Sequence, residues 1–475
     1  MSFHDVLTAA PLIAVAATAC LVLLIDALKK NSDALTVWIS GAGLAFALGI
    51  ALARIQAGGR GEQAFSGMIT TGGSANFFTL LFCSVGILTV LLSWSYVRTA
   101  GMMHGEYFAL VLFAVAGMIL MASAADFIVF FLGLEVMSVA FYVLAGFARN
   151  RLDSNEAALK YFLLGAFATG FLLYGIALIY GATGTTGLAG LPARAAALAG
   201  TPVFVIGLGL LVVGLAFKVA AVPFHMWVPD VYEGSPTTVS GFMSTGGKAA
   251  AFSGFLLVFV PAVVAAVPGM RDVLAVIAAA SMIAGNVIAI AQTSVKRMLA
   301  YSSIAHAGYI LVGVVAGNAA GHDGVLFYLM SYAMMNIGAF GVLGLMEDEA
   351  EHNITVDACA GLSKSSPWLA GFMALFMFSL AGIPPFAGFF GKYYVFAGAI
   401  AGGYTWLAIA GVIMSAVSAY FYLRLVVVMY FRDSAGVERG AIPVLGVVAL
   451  ALAALALVVF GLFPSTLLGL AVRPF

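Results

Sequence analysis

Charge is what this sequence has least of. Asp, Glu, Lys and Arg make up 8% of its 475 residues, while 63% are hydrophobic; a soluble globular chain carries about 25% charged residues. So few charges cannot cover a water-facing surface of this length, which excludes a soluble globular protein and leaves lipid as the covering. The charges are balanced, 20 basic against 20 acidic, so there is no basic footprint for nucleic acid. Cysteine is scarce as well. Cys20, Cys83 and Cys359 lie far apart and form no CxxC, which excludes a disulfide framework and an iron–sulfur site and leaves the thiols as small hydrophobes. No Walker A sequence occurs, which argues against an ATP-driven pump. Gly207-Leu208-Gly209 lies inside an apolar run rather than at a strand–helix turn, so no nucleotide fold is indicated. Among the six histidines only His225 and His306 are deep, and neither brings a second ligand at helical spacing for a membrane haem. Redox centres, if any are involved, belong to partners.

Long hydrophobic runs are what is there. Mean hydropathy is +1.12, and a helix needs about 20 apolar residues to cross the hydrocarbon core. By that rule spans are predicted near 8–28, 34–54, 75–97, 106–124, 126–148, 156–181, 203–228, 236–260, 271–292, 297–318, 324–346, 367–398, 404–430 and 443–468. The expectation is an all-α polytopic membrane protein of about 14 transmembrane helices. The 55 glycines suit helices whose backbones approach closely. No basic residue precedes Ala10–Leu28, and Lys29 and Lys30 follow it, so the N-terminus reads as a retained first span and not a cleavable signal. An even number of spans puts both termini on one side. Lys29, Lys30, Arg98, Arg149, Arg151, Lys296, Arg297, Lys364, Arg432 and Arg439 fall in odd-numbered loops. The positive-inside rule then predicts both termini on the non-cytoplasmic side of the cell inner membrane.

Two spans are visibly interrupted. One reads Phe217-Lys218-Val219-Ala220-Ala221-Val222-Pro223-Phe224-His225; the other reads Ala381-Gly382-Ile383-Pro384-Pro385-Phe386-Ala387-Gly388, followed by Lys392. Proline removes a backbone donor and clashes with the preceding turn, and freed backbone groups at membrane depth are tolerated only beside protein or water. Broken helices at corresponding places in two halves point to inverted repeats around an ion path. Glu135 lies 83 positions before Lys218, and His306 lies 86 before Lys392. That spacing suggests a three-helix segment (1–105), a first repeat of spans 4–8 (106–260), a second repeat of spans 9–13 (261–430) and a C-terminal helix (431–475).

Glu135, Lys218, His225, Lys248, His306 and Lys392 are the ionisable residues expected inside these spans. Each such group costs about 2.5–3.5 kcal/mol near the bilayer centre, so retention points to function. Lys248 follows Ser235-Pro236 by twelve residues, a rise of about 18 Å into the membrane, out of snorkelling range. Lys218 needs a carboxylate partner, and Glu135 is the only carboxylate expected deep in a helix. A neighbouring carboxylate favours the charged lysine and desolvation disfavours it, so moving such a pair apart would act as a proton switch. A static ion pair is the competing reading for Glu135 and Lys218, a wet cavity wall for Lys248 and Lys392, and core packing for His225 and His306. Lys160 follows Glu156 by four and reads as a helix-surface salt bridge. Asp126 reads as a helix cap, and Lys296, Arg297 and Arg432 read as interfacial anchors.

The segments Phe131–Ala145, Glu156–Gly181, Gly214–Pro236, Lys296–Gly308 and Leu380–Phe396 together resemble the antiporter-like membrane subunits of proton-pumping NADH–quinone oxidoreductase (respiratory complex I). Relatives of these include subunits of Mrp cation/proton antiporters. Gly391-Lys392-Tyr393, and a chain stopping at Phe475 with no room for a lateral arm, place the resemblance in the subunit N branch. The resemblance implies two inverted five-helix repeats, with discontinuous helices at spans 7 and 12. It makes Glu135 the coupling glutamate, Lys218 its partner, Lys248 the central proton carrier and Lys392 the lysine near the exit. His225 becomes a relay between Lys218 and the centre, and His306 a residue of less defined role. It also implies proton translocation driven by electron transfer elsewhere, with NADH, FMN, iron–sulfur clusters and quinone on partner subunits and no cofactor on this chain. Partners would be other membrane subunits, including antiporter-like siblings. An Mrp-type Na⁺/H⁺ antiporter subunit is the alternative.

Overall fold

The computed structural model describes residues 2–29, 32–58, 61–72, 74–347, 353–433 and 443–470. Lys30 and Arg439, counted in the topology argument, lie outside the described residues. Among the described residues the fold is a helical bundle whose one pair of strands, Gln63–Ala64 with Ile69–Thr70, is two residues long on each side. The strand pair sits in the 55–74 connection, and the Gly-rich 181–201 connection carries the helix Leu191–Leu198.

Twelve of these helices are long and apolar enough to cross a membrane: Ala10–Leu28, Asp33–Gln56, Ser74–Thr99, Gly105–Ala122, Phe127–Ala145, Leu152–Thr183, Pro202–Val219, Met270–Ile290, Val295–Ala316, Ala319–Met346, Thr405–Phe431 and Val444–Leu462. Local chemistry sets many of their ends. Asp126, Ser294 and Asn318 accept from the first-turn amides of the helices they precede, as N-caps do, and Pro202 and Pro367 open helices where a missing N–H costs nothing. Two expected spans are helical but interrupted. Across 236–260 the helix runs Thr237–Phe242, passes through a π turn at Met243–Gly247 and continues as Lys248–Val258. Across 367–398 it breaks into Pro367–Ala381 and Ala387–Ala401.

The other expected break ends the helix outright: Pro202–Val219 stops one residue after Lys218, and Val228–Gly234 follows a turn. Both breaks close in the same way. The Ala221 amide bonds back to Ala216 O and that of Ala220 to Phe217 O; Ile383 N bonds to Phe378 O and Gly382 N to Ser379 O. This is the left-handed C-cap in which two amides satisfy the last carbonyls. Gly382 takes its positive φ of 85° freely, whereas Ala220 holds φ 65° with a Cβ. The two lysines sit on opposite sides of their breaks, Lys218 before and Lys392 after.

Burial sorts the helices by depth. Val295–Ala316 and Ala319–Met346 are buried almost throughout, whereas only about a fifth of Ala10–Leu28 is buried. Outward-facing Phe46, Phe167, Ile409, Val412 and Leu455 form an apolar surface that only lipid or another membrane chain would cover. Small residues let the inner helices touch through their backbones. At the crossing of Gly105–Ala122 and Phe127–Ala145, a Cβ on Gly117 would meet Met137 N at 2.5 Å, and one on Gly133 would meet Met121 N at 2.7 Å.

Candidate functional site

The unusual residues fall into two groups. On Phe127–Ala145, Glu135, Ser138 and Tyr142 are spaced by three and four, so they share one helix face. Lys218, at the C-terminal end of Pro202–Val219, donates to Ser138 Oγ at 2.7 Å and lies 3.4 Å from Tyr142 OH. Its ammonium stands 5.5 Å from the centre of the Tyr142 ring, within cation–π range, and the Ser138 hydroxyl in turn donates a hydrogen bond to Leu134 O at 2.6 Å. The expected Glu135–Lys218 ion pair is not formed. Glu135 exerts its charge on Lys218 from a distance, and its Oε1 is buried without a hydrogen-bond partner. Ser138, three residues further along the same helix face, occupies the place where the carboxylate was expected. His225 lies in the turn beyond Lys218, half-buried, with Nδ1 unpartnered.

The second group runs through the buried centre. Lys248, 1% exposed, donates to both Ser303 O and Ser303 Oγ, the latter at 2.9 Å, and lies 5.8 Å from the Tyr332 ring centre. Three residues along the helix from Ser303, His306 is bonded on both ring nitrogens: Tyr328 OH at 2.8 Å from Nδ1 and Tyr422 OH at 3.1 Å from Nε2. The Tyr332 ring packs against its imidazole at 4.9 Å. Lys392 donates to Leu380 O at 3.1 Å, Ala381 O at 3.0 Å and Ser415 Oγ at 2.8 Å. It stands 5.0 Å from the ring of Tyr309, whose hydroxyl accepts from Asn286 at 2.9 Å. Lys248, His306 and Lys392 thus share a wall of tyrosines. A neutral imidazole between two hydroxyls can accept on one nitrogen and donate from the other, which is the chemistry a proton relay uses.

Sequence reasoning missed these tyrosines, since a buried aromatic in an apolar helix reads as core. It also misplaced Lys296. This residue is fully buried, not an interfacial anchor, and its Nζ lies 2.9 Å from Ser235 O and 3.8 Å from Glu347. Glu347 is therefore a second deep carboxylate, more buried than Glu135. Partly exposed Arg297 joins Asp230 at 3.0 Å and Glu233 at 2.6 Å, while Lys160 reaches Glu156 at 2.7 Å and also Asp230 at 2.8 Å. Partial burial works against the charge of Asp230, but hydrogen bonds from Lys160 and Arg297 outweigh it and hold the carboxyl below the usual carboxylate range.

The bundle and its buried cations define a class first: residues 124–418 match the family described as the membrane part of NADH:quinone oxidoreductase and Mrp antiporters. NADH-quinone oxidoreductase subunit N 1 of Chloroherpeton thalassium is 45% identical over 98% of this chain and 97% of its own length. Subunit N of Salinibacter ruber is 50% identical over 83% and 81%. The chain belongs to the NADH-quinone oxidoreductase subunit N family. Among solved structures, a chain of respiratory complex I from Thermus thermophilus superposes with a TM-score of 0.84 at 37% identity, covering 98% of this chain and all of that one. A chain of the Mrp complex from Dietzia shares the fold, with a TM-score of 0.85 at 21% identity.

Proposed function

We propose that this chain moves protons across the membrane as a subunit of NADH–quinone oxidoreductase, through Glu135, Lys218, His225, Lys248, His306 and Lys392, driven by electron transfer in partner subunits that hold the cofactors. In this reading fourteen spans cross the bilayer, counting the two interrupted helices, and spans 4–8 and 9–13 are inverted repeats with both termini outside the cytoplasm. Protons are taken up on the cytoplasmic side near Lys218, pass His225 to Lys248 and leave past His306 and Lys392. The observation that carries the proposal is the set of three buried lysines held by hydroxyls, peptide oxygens and ring faces, with no carboxylate in contact among the described residues. Such an ammonium can release its proton without leaving a bare anion beside it.

The electrostatic drive comes from Glu135. A change in its distance from Lys218 alters how strongly the ammonium is held, and the next site along the file follows. Supporting the complex I reading over the Mrp alternative are relatives named subunit N at 43–50% identity, against 21% for the Mrp chain. The test is the proton-to-electron ratio of the intact complex in membrane vesicles. Lys248→Ala and Glu135→Ala are expected to assemble and to lose this subunit's share of pumping. An unchanged ratio in a fully assembled Glu135→Ala complex refutes the scheme.

A further inference from the structure

We propose that Glu347 and Lys296 form a second proton-loading site, which supplies Lys248 along the seam between the Lys248 helix and Ala319–Met346. This inference rests on the reading of Lys248 as a proton carrier. The pair is the most deeply buried ion pair among the described residues, with side chains 0% and 2% exposed. The Glu347 carboxylate accepts from Thr237 Oγ1 at 2.7 Å, at the N-terminus of the helix that becomes Lys248–Val258, and Tyr96 OH takes the Thr237 amide at 3.2 Å. Lys296 holds Ser235 O on the same corner. A buried pair that served only to fix packing would be replaceable by apolar residues at no loss, so its retention asks for a use.

From this corner a polar stripe leads inward. Thr237, Ser240, Ser244 and Lys248 are spaced by three, four and four, which keeps them on one face of the helix, and each is buried. The facing stripe on Ala319–Met346 and its cap is Glu347, Leu343, Phe340, Asn336 and Tyr332, at the same spacing. Asn336 donates to Ser244 Oγ at 2.7 Å, and Tyr332 lies against the Lys248 ammonium. Three buried polar atoms on this seam, Ser235 Oγ, Asn336 Oδ1 and Tyr332 OH, have no side-chain or backbone partner. Polar atoms so buried are ordinarily satisfied by water when protein does not reach them. One apolar stretch divides the stripe. Phe340 fills the notch left by Gly241, whose added Cβ would stand 3.0 Å from the Phe340 Cβ, and Tyr232 braces the ring edge-on at 6.3 Å. Phe340 is therefore the gate.

The step balances without any co-reactant. Glu347 takes a proton from the aqueous phase and its ion pair with Lys296 weakens. The proton then passes over water and the hydroxyls of the seam to the free amine of Lys248, and the restored carboxylate pairs again with Lys296. Arg151, Asp153 and Glu233 face the pair from neighbouring elements, together with the Tyr96 hydroxyl, and set the field in which it loads.

The experiment compares assembled complexes in membrane vesicles for proton-to-electron ratio and turnover. Relay groups contribute about 100-fold or more to proton transfer, so Glu347→Gln is expected to slow uptake about 100-fold and remove this subunit's share of pumping, with Glu347→Asp retaining it. The neutral double variant Lys296→Met/Glu347→Gln keeps the volume without the charges. If it pumps normally, the pair is structural and the proposal is overturned; continued loss supports it. Should Glu347→Gln not assemble, Ser244→Ala decides between the outcomes: reduced pumping supports the seam, and an unchanged ratio overturns it. Lys248→Ala separates the two levels. Normal pumping there sinks the reading of Lys248 itself, whereas a dead Lys248→Ala beside a normal Glu347→Gln sinks only this inference.

Discussion

Gly117→Ala is the smallest change that tests whether backbone contact holds the Glu135 helix in place. A Cβ at 117 would lie 2.5 Å from Met137 N, 2.7 Å from Gly133 O and 3.0 Å from Met137 Cα. All three are backbone atoms, so no side-chain rotation relieves the clash. Ordinary contact begins at 3.4 Å, so the two helices must part by about 0.9 Å. Overpacking of this kind costs about 1–3 kcal/mol, and about 2 kcal/mol is a thirtyfold loss in the folded-to-unfolded ratio. The displacement acts one residue away from Ser138, whose bond to Lys218 is 2.7 Å long; a shift of about 0.9 Å along it would leave about 3.6 Å, no longer a hydrogen bond. The assay is unfolding of the detergent-solubilised protein by increasing SDS, paired with the proton-to-electron ratio. Gly209→Ala is the control, because nothing lies within 4 Å of a Cβ there; it should be neutral or stabilise its helix by up to about 1 kcal/mol. Equal SDS midpoints and equal pumping for Gly117→Ala and Gly209→Ala would refute the reasoning.

Ser415→Ala removes one of three groups holding the Lys392 ammonium. A bond to a charged group contributes about 1.5–3 kcal/mol, so pumping should fall while assembly, followed on native gels, stays intact. Ala220→Gly relieves a left-handed alanine and should raise resistance to SDS by about 1 kcal/mol; a lower midpoint contradicts that account of the break. Asp5 accepts from Phe65 N at 2.9 Å and Ser2 N at 2.8 Å, and these backbone bonds lower its carboxyl from 3.8 to about 2. Because the folded value is the depressed one, this tether is complete above about 4 and is lost as pH falls through about 2. Protection of the Phe65 amide, taken relative to its intrinsic exchange rate, should therefore fall across that window in the native protein and be low at every pH in Asp5→Ala. Asp230→Ala cuts the bonds to Lys160 and Arg297, yet these partly exposed pairs are worth at most about 1 kcal/mol, so a midpoint shift larger than that would mean the network does more than decorate the surface.

Membrane class and most deep ionisable residues were readable from composition and interruption, because a charge in an apolar run and a proline in a helix carry physical costs that show in one dimension. What could not be read was how the charges are satisfied. Glu135 and Ser138 differ by less than one helical turn, and sequence holds no information on which of them Lys218 reaches. Lys296 stands beside Arg297 at the edge of a span, where two adjacent cations look like headgroup anchors; its burial arises from the packing of Ser235 and Glu347, 61 and 51 positions away. Glu347 opens the acidic run Glu347-Asp348-Glu349, where nothing in one dimension marks the first carboxylate as the buried one. The π turn at Met243–Gly247 carries no signal beyond Gly246-Gly247, a pair equally at home in a straight helix. The tyrosines around His306 were hidden because their rings satisfy the apolar pattern while their hydroxyls do the chemistry.

The two helix breaks have a further electrical consequence. Pro367–Ala381 points its last carbonyls, those of buried Leu380 and Ala381, at Lys392, and Lys218 rides on the equally carbonyl-rich tip of its own helix. Each cation thus rests in the negative end of a helix dipole, worth about half an elementary charge. A fractional counter-charge built into the backbone cannot be titrated away or diffuse off. It leaves each site half a charge positive when loaded and half a charge negative when empty, so the swing is symmetric and neither state is stranded in the bilayer with a full unit of charge.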